Sequence, residues 1–250
     1  MSASSSLTIF PQRPTAARLG HAAPLTPIPG REAEIEQVVR LLDRDDLRVV
    51  TLLGPGGVGK TRLAQEVTTL VRPDFAHDAC FVALASIRDP DLVPKAVAQT
   101  LGIQESVDRS AADALVDVLA DRHLLLVLDN LEQVIAAAPW LAELLAQCPR
   151  LRVLVTSRIS LNIAGEQRFV VPPLAVPRSS NDALNQFAAV ELFVQRAQAV
   201  DITFGLTAKT PPPWRRFFAV SMVCRSRSSL RRRALKCSRR RRSSRVSPIV

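Results

Sequence analysis

The chain has 250 residues, 47% of them apolar, and a formal net charge of +10. Of its 33 Lys and Arg residues, 14 lie in residues 209–250, which contain no Asp or Glu, so the first 208 residues hold 19 basic and 23 acidic side chains. The apolar content is ample for a core, and the mildly acidic balance of the folded part argues against a basic nucleic-acid-binding domain.

The first predicted elements enclose a glycine-rich loop. Apolar residues at helical spacing predict an amphipathic helix over Glu32–Asp43, and a run of β-branched and apolar residues predicts a strand over 47–53. Residues 54–61 then fit the pattern G-x-x-x-x-G-K-[ST] without a mismatch, and apolar residues between Leu63 and Leu70 follow at helical spacing. We therefore expect a strand, a phosphate-binding loop and a helix in direct succession.

The rest of the chain continues to alternate strands with helices. The expected elements are a strand over 79–86, helices over 94–101 and 111–120, a strand over 124–128, a helix over 140–148, strands over 151–156 and 168–171, and a helix over 190–197. This alternation predicts an α/β fold, a three-layer parallel sheet covered by helices on both faces, as in P-loop NTPases of the ASCE or AAA-like type. We assign residues 25–176 to this nucleotide-binding domain and residues 177–208 to the start of a helical segment.

The cysteines and the amino terminus give no indication of disulfides, bound zinc or a membrane span. Cys80, Cys148, Cys224 and Cys237 have no Cys-x-x-Cys spacing, and the first two fall within apolar patterns, as small core residues do. No apolar run approaches the length of a membrane span, and the amino terminus lacks the apolar stretch of a signal peptide. We expect residues 1–24 to be a flexible leader and the protein to be cytoplasmic.

The glycine-rich loop predicts binding of a nucleoside triphosphate. Its glycines allow the backbone N–H groups to point at phosphate oxygens, and the following helix directs the positive end of its dipole to the same place. Lys60 would reach the β- and γ-phosphates, and the Thr61 hydroxyl would bind Mg²⁺. The alternative, a plain glycine-rich turn, is disfavoured by the matched strand and helix. The predicted nucleotide-binding residues of this segment are Gly54, Pro55, Gly56, Gly57, Val58, Gly59, Lys60, Thr61 and Arg62.

Asp129 is predicted to complete the metal site. It ends an apolar strand, where P-loop ATPases place the aspartate of the magnesium shell, and its distance from Lys60 suits an ATPase with an inserted strand. A turn-forming or helix-capping aspartate is the alternative. Asn130 follows, and because an amide cannot take a proton we expect slow hydrolysis. Glu132 is the nearest substitute acid, and a solvated helix residue is the equally open alternative for it.

Arg158 is the predicted sensor of the γ-phosphate. It follows Thr156 and Ser157 at the carboxyl end of a strand, the end at which the phosphate loop also lies. An arginine there could contact the γ-phosphate and distinguish ATP from ADP, whereas a surface arginine in a turn is the alternative. With Lys60 and Asp129, it forms the predicted catalytic set.

Together these segments resemble one family. Residues 28–34 (I-P-G-R-E-A-E), the phosphate loop 54–61, residues 125–132 (L-L-V-L-D-N-L-E), residues 156–158 (T-S-R) and residues 171–174 (V-P-P-L) resemble the motifs of the NB-ARC-like, STAND-class signal-transduction ATPases with numerous domains. The similarity is greatest to the bacterial transcription-regulator branch.

The resemblance implies a switch. In that family ADP holds the protein closed, ATP opens it for self-association or contact with effector modules, and the backbone of the motif containing Gly30 and Arg31 holds the adenine. The family continues with a small helical domain that opens with G-L-P-L, then a winged helix. The sequence as translated contains neither of these domains. The resemblance therefore implies DNA contact only through domains that are absent here.

The Arg-rich end, residues 209–250, has two competing interpretations. With permitted codons, a one-base shift can give a segment containing G-L-P-L at the distance that the family requires, so we expect a frameshift near Ala208 and a disordered, non-functional basic tail. The alternative is a functional arm that grips nucleic-acid phosphates, with the ATPase driving movement. A metabolic P-loop kinase would be a third class, but no segment indicates a phosphoryl acceptor site. The first interpretation makes the chain a regulatory module that binds ATP, ADP and Mg²⁺.

Overall fold

The computed structural model describes residues 28–103, 109–177 and 186–204. The chain divides into two compact units, Met1–Ala175 and Val176–Val250. The predicted leader at 1–24 and the Arg-rich end at 209–250 lie outside the described residues. Of the helical segment assigned to 177–208, residues 177 and 186–204 are described.

The first unit is built on one parallel sheet of five strands in the order β2-β3-β4-β1-β5. The strands are β1 Val49–Leu53, β2 Ala79–Ala83, β3 Leu125–Asp129, β4 Arg152–Ser157 and β5 Glu166–Val170. The helices are α1 Glu32–Asp43, α2 Lys60–Val71, α3 Val93–Leu101, α4 Ala111–Leu119 and α5 Ala138–Gln147. The predicted parallel α/β sheet is therefore confirmed.

The helices cover both faces of the sheet and give it two cores. Residues on β3 alternate between them, with Leu125 and Val127 in the core beneath α1 and α2, and Leu126 and Leu128 in the core beneath α3, α4 and α5. The continuous apolar run of β3 follows from this double burial, because neither face of a central parallel strand meets water. Both predicted core cysteines, Cys80 and Cys148, are buried as free thiols.

The one strand between Lys60 and Asp129 along the chain is β2, at an edge of the sheet. In the sheet, β4 lies between β1 and β3 and pairs with both. Leu53, the last residue of β1, is opposite Ser157, the last residue of β4. Asp129 closes β3 opposite Ala83 of β2. The carboxyl ends of β1, β2, β3 and β4 therefore meet at one edge of the sheet, where open α/β folds bind their ligands.

Two details differ from the sequence pattern. The second strand, expected over 79–86, ends at Ala83: Leu84 N–H makes a last bond to the Asp129 carbonyl (2.9 Å), and the chain then turns, with Ile87 N–H bonded to Leu84 (3.0 Å). Leu70 is exposed although it shares the helical spacing of α2, whose last turn is buried through Val71 instead.

The second unit contributes one described helix, α6 Ala188–Gln198, which confirms the helix expected over 190–197. The rings of Phe193 and Phe204 make an edge-to-face contact there, with centroids 5.8 Å apart. None of the helices in the described ranges has the length and hydrophobicity that crossing a membrane requires.

Candidate functional site

The phosphate-binding loop joins β1 directly to α2. Gly59 is the residue before the helix, and its φ of +97° lies in the left-handed region that a side chain rarely adopts. This conformation turns the chain into the helix, so that the free N–H groups of the first turn of α2 are directed at the loop. Leu63 N–H bonds to the Gly59 carbonyl at 2.9 Å, which begins the helical ladder.

Lys60 lies buried against the loop that precedes it. Its Nζ donates to the carbonyl oxygens of Gly54 at 2.9 Å and Pro55 at 3.2 Å. Burial lowers the pKa of Lys60, the charge of Glu132 acts to raise it, and the charge of Arg158 acts to lower it. The ammonium is thus hydrogen-bonded to neutral carbonyl oxygens of the loop. A phosphate oxygen, as a stronger acceptor, could replace these carbonyls.

Thr61 and Asp129 meet through their side chains. Thr61 Oγ1 donates to Asp129 Oδ1 at 2.7 Å, and Thr156 Oγ1 of β4 donates to the same oxygen at 2.6 Å. Thr156 also accepts a bond from the Asn130 backbone N–H at 3.0 Å. Asp129 is buried, and its hydroxyl partners fix the carboxylate against the start of α2.

This cluster has the chemistry of a magnesium site. Mg²⁺ prefers hard oxygen ligands and is usually held by one or two carboxylates together with substrate phosphates. One hydroxyl and one carboxylate within hydrogen-bond distance of each other supply such oxygens beside the phosphate loop. The structure therefore brings together Lys60, Thr61 and Asp129, as the sequence predicted, while their roles toward a nucleotide stay a prediction.

Arg158 also lies at the loop. A Cβ placed on Gly56 would be 3.3 Å from Arg158 Nη2, so the guanidinium passes directly over this glycine and a side chain there would crowd it. Arg158 forms an ion pair with Glu132, whose Oε1 lies 2.9 Å from Arg158 Nε. Of the two alternatives for Glu132, a solvated helix residue does not fit, because its side chain is only 8% exposed.

The segment around Gly30 and Arg31 contacts the phosphate-binding loop through the Arg31 side chain, a contact that the sequence did not predict. The Arg31 side chain is buried, with Nη2 donating to the Val58 carbonyl at 3.0 Å and Nη1 to Glu34 Oε1 at 2.6 Å. Arg31 therefore ties the start of α1 to the phosphate loop. The expected contact between this segment's backbone and adenine stays a prediction.

Arg62 points along its own helix. Its Nη2 lies 3.6 Å from Glu66 Oε2, one turn further on, and both groups are about three-quarters buried. The structure thus gives the Arg62 side chain a partner within α2, and a contact between Arg62 and nucleotide stays a prediction.

Comparison with known proteins identifies a family match across most of the first unit. Residues 31–174 match the NB-ARC domain family. An uncharacterized protein of Mycobacterium tuberculosis is 40% identical over 187 residues, which are 74% of this chain and 45% of the relative. A second protein of that organism, whose name assigns it provisionally to the HTH-type transcriptional regulators, is 36% identical over 179 residues, or 71% of this chain and 18% of the relative. The chain thus spans about half or less of the length of these relatives.

Solved structures are similar to parts of this chain at low sequence identity. Cdc6p from Pyrobaculum aerophilum gives a TM-score of 0.47 at 18% identity, covering 61% of this chain and 48% of that chain. A STAND protein with a tetratricopeptide repeat sensor from Pyrococcus horikoshii gives 0.41 at 15% identity, covering 70% and 26%. Similarities at this level concern the fold alone.

Proposed function

This chain belongs to the NB-ARC family, and from that premise we propose that it is an ATP- and ADP-binding switch module with weak ATP hydrolysis, part of a STAND-type transcription regulator. The matched residues, 31–174, contain every predicted nucleotide-binding residue except Gly30. The proposed partners are the nucleotide, further copies of the chain and effector modules, with DNA contacted only through other domains. A cytoplasmic location accords with the relative that carries a transcription-regulator name.

The contact between Thr61 and Asp129 is the observation that carries this proposal. The two residues lie 68 positions apart, yet their oxygens are 2.7 Å apart at the end of the phosphate loop. When bound, Mg²⁺ would neutralise phosphate charge at these oxygens. Thr61 and Asp129 would hold it, and Thr156 would orient the carboxylate from behind, as outer groups do around metal ligands.

Lys60 supports phosphate binding. Its carbonyl acceptors, on Gly54 and Pro55, lie within the same loop, so the ammonium needs only to change acceptors to reach a phosphate. A charge-assisted bond to phosphate is stronger than one to a neutral carbonyl, so this exchange favours nucleotide binding.

Weak hydrolysis follows from the residues beside Asp129. Asn130 has no proton-accepting carboxylate, and its backbone N–H is bonded to Thr156. Glu132 does have a carboxylate, and its Oε1 lies 2.9 Å from Arg158 Nε, which favours pairing with the guanidinium over activation of water. Weak activation of water beside Asp129 suits a switch that changes with nucleotide exchange rather than rapid turnover.

The proposal is tested by titrating the purified chain with a fluorescent ADP analogue and displacing it with ATP, with and without Mg²⁺. We expect saturable binding that Lys60→Ala weakens by about tenfold or more, because a buried cation–phosphate contact is lost. Arg40→Ala is the matched control, since it removes a cation from the solvent-exposed side of α1. Absence of saturable binding by the unmodified chain, or equal binding by Lys60→Ala, would contradict the proposal.

A further inference from the structure

Glu132 occupies an unusual place for a carboxylate. It lies in the short 3-10 segment Leu131–Ala137 that follows β3, and this segment is interrupted by the non-helical backbone of Val134. The Glu132 side chain is 8% exposed and is directed toward Arg158. Beyond Asp129, a second acid is therefore buried close to the carboxyl end of β3.

The surroundings of Glu132 do not compensate its burial. Neither of its carboxylate oxygens has a hydrogen-bond partner among the described residues, although Oε1 is 2.9 Å from Arg158 Nε. Arg158 is 58% exposed, so water screens its charge and the pair contributes little to stability. A buried carboxylate held only by such a contact costs free energy. Folding stability alone thus gives no reason for a carboxylate at this position.

The charges around the phosphate loop give a functional reason for the carboxylate of Glu132. Lys60 is buried in the loop, and the Glu132 carboxylate acts on its pKa in the direction opposite to Arg158. Arg158 lies over Gly56, with Nη2 3.3 Å from where a Cβ would stand. The carboxylate thus faces the same two cations that a bound phosphate chain would require.

We propose that Glu132 is a specificity-determining positioning residue, which competes with the γ-phosphate for Arg158 and thereby favours ADP over ATP. The inference rests on the proposed function, because it assigns a role in nucleotide choice to a residue beside the same site. ADP lacks the third phosphate, so the pair between Glu132 and Arg158 persists when ADP is bound. ATP binding separates that pair and brings a second anion toward the buried carboxylate.

The test replaces the carboxylate by its uncharged isostere. Glu132→Gln keeps the size of the side chain, frees Arg158, and is expected to raise the affinity for ATP relative to ADP by about fivefold or more, which is about 1 kcal/mol. The probe is the fluorescent ADP analogue displaced by ADP and by a non-hydrolysable ATP analogue. Glu36→Gln is the matched control, since Glu36 also pairs with an arginine but on the exposed face of α1. The thermal midpoint of each variant shows that it is folded.

A double-mutant cycle distinguishes action through Arg158 from a general effect of charge. In the Arg158→Ala background, Glu132→Gln is expected to change the ratio of ATP to ADP affinity by no more than about twofold. An equal change in both backgrounds would overturn the proposal, because the carboxylate would then not act through Arg158.

Other outcomes separate this inference from the proposed function. Unchanged nucleotide preference together with lost hydrolysis in Glu132→Gln would overturn the inference and assign the carboxylate to activation of water. Retained ADP binding with an unchanged affinity ratio would also overturn the inference while leaving the proposed function intact. A chain that binds neither nucleotide would overturn both.

Discussion

Thr61 at the start of α2 and Asp129 at the end of β3 are joined by a hydrogen bond of 2.7 Å between their side-chain oxygens. Strand β4 separates the strands that carry these two segments, and its Thr156 bonds to the same Asp129 oxygen. The three groups are therefore fixed relative to one another by the sheet. Such a site would need little rearrangement on binding the proposed nucleotide, and this preorganisation would favour affinity.

The first prediction concerns the Thr61 hydroxyl. Thr61→Val keeps the shape of the side chain and removes its oxygen, so Mg²⁺ should no longer strengthen ADP binding. We expect a loss of about tenfold in affinity with Mg²⁺ and little change without it. Thr61→Ser, which keeps the hydroxyl, is the matched control. Titrations with the fluorescent ADP analogue in Mg²⁺ or in a chelator measure the affinity of each variant with and without the metal. An equal response of the Val and Ser variants to Mg²⁺ would refute the metal role.

The second prediction concerns Thr156, whose hydroxyl joins β4 to the end of β3. Thr156→Val leaves both the Asn130 N–H and the Asp129 carboxylate without that buried partner. Unsatisfied buried groups cost about 1–3 kcal/mol, so the free energy of unfolding should fall by that amount. Thr156→Ser should lose much less. Urea unfolding monitored by circular dichroism checks the difference, and two variants of equal stability would show that the bonds contribute nothing.

The contacts of Thr156 show where prediction from sequence ends. Lys60, Thr61 and Asp129 could be placed together because the loop motif and the end of an apolar strand fix their positions at one edge of a parallel sheet. The bond from Thr156 depends on the register in which β4 enters between β1 and β3, where Leu128 lies opposite Val155. No local pattern in the chain contains that register.

Two other side chains show the same limit. The sequence suggested only a backbone role for Arg31, because helical periodicity does not show that its side chain returns across 27 residues to Val58. For Glu132 the choice between an acid near the site and a solvated helix residue stayed open. Glu132 lies in a 3-10 segment with a break at Val134, and a pattern based on 3.6 residues per turn cannot detect such a break.

The third prediction concerns the buried Arg31, which anchors α1 to the loop. Arg31→Ala removes the bond to Val58 and leaves Glu34, which is 16% exposed, without its partner. Breaking a buried pair is costly, so we expect a loss of about 2–4 kcal/mol in the free energy of unfolding. Arg40→Ala on the same helix is the control, because its exposed pair with Glu36 should contribute less than about 0.5 kcal/mol. Equal losses in the two variants would show that Arg31 is not an anchor.

The fourth prediction concerns the sensor role of Arg158. Arg158→Ala should bind ADP as the unmodified chain does and should lose its discrimination between ATP and ADP, because the guanidinium at Gly56 is removed. Arg168→Ala is the matched control, since Arg168 is also about half exposed and also pairs with a glutamate, Glu166, at 3.1 Å. Competition titrations with both nucleotides measure the discrimination. Unchanged selectivity in Arg158→Ala would leave this arginine as a surface residue.

The last prediction is a pH dependence that arises at the opposite end of the strands. The backbone N–H of His123 donates to the ring Nδ1 of His77 at 3.0 Å, and the backbone N–H of His77 donates to the His123 carbonyl at 3.0 Å. Burial lowers the pKa of both imidazoles, and nearby arginines, Arg122 for His77 and Arg150 for His123, lower the pKa further. The two rings therefore take up protons at a lower pH in the folded chain than in the unfolded chain, where the ordinary pKa is near 6.5.

The sign of the effect follows from that difference. Above about pH 7.5 both states are unprotonated, and as the pH falls through 6.5 the unfolded state binds more protons, so the free energy of unfolding should decrease. Carboxylates have lower pKa values, so protonation of histidine accounts for most of the change in stability between pH 7.5 and 5.5. His77→Asn supplies an oxygen in place of Nδ1 and does not titrate, so its loss of stability over this interval, measured by urea unfolding, should be smaller than that of the unmodified chain. An equal or larger loss in the variant would show that the pair of imidazoles does not couple protonation to folding.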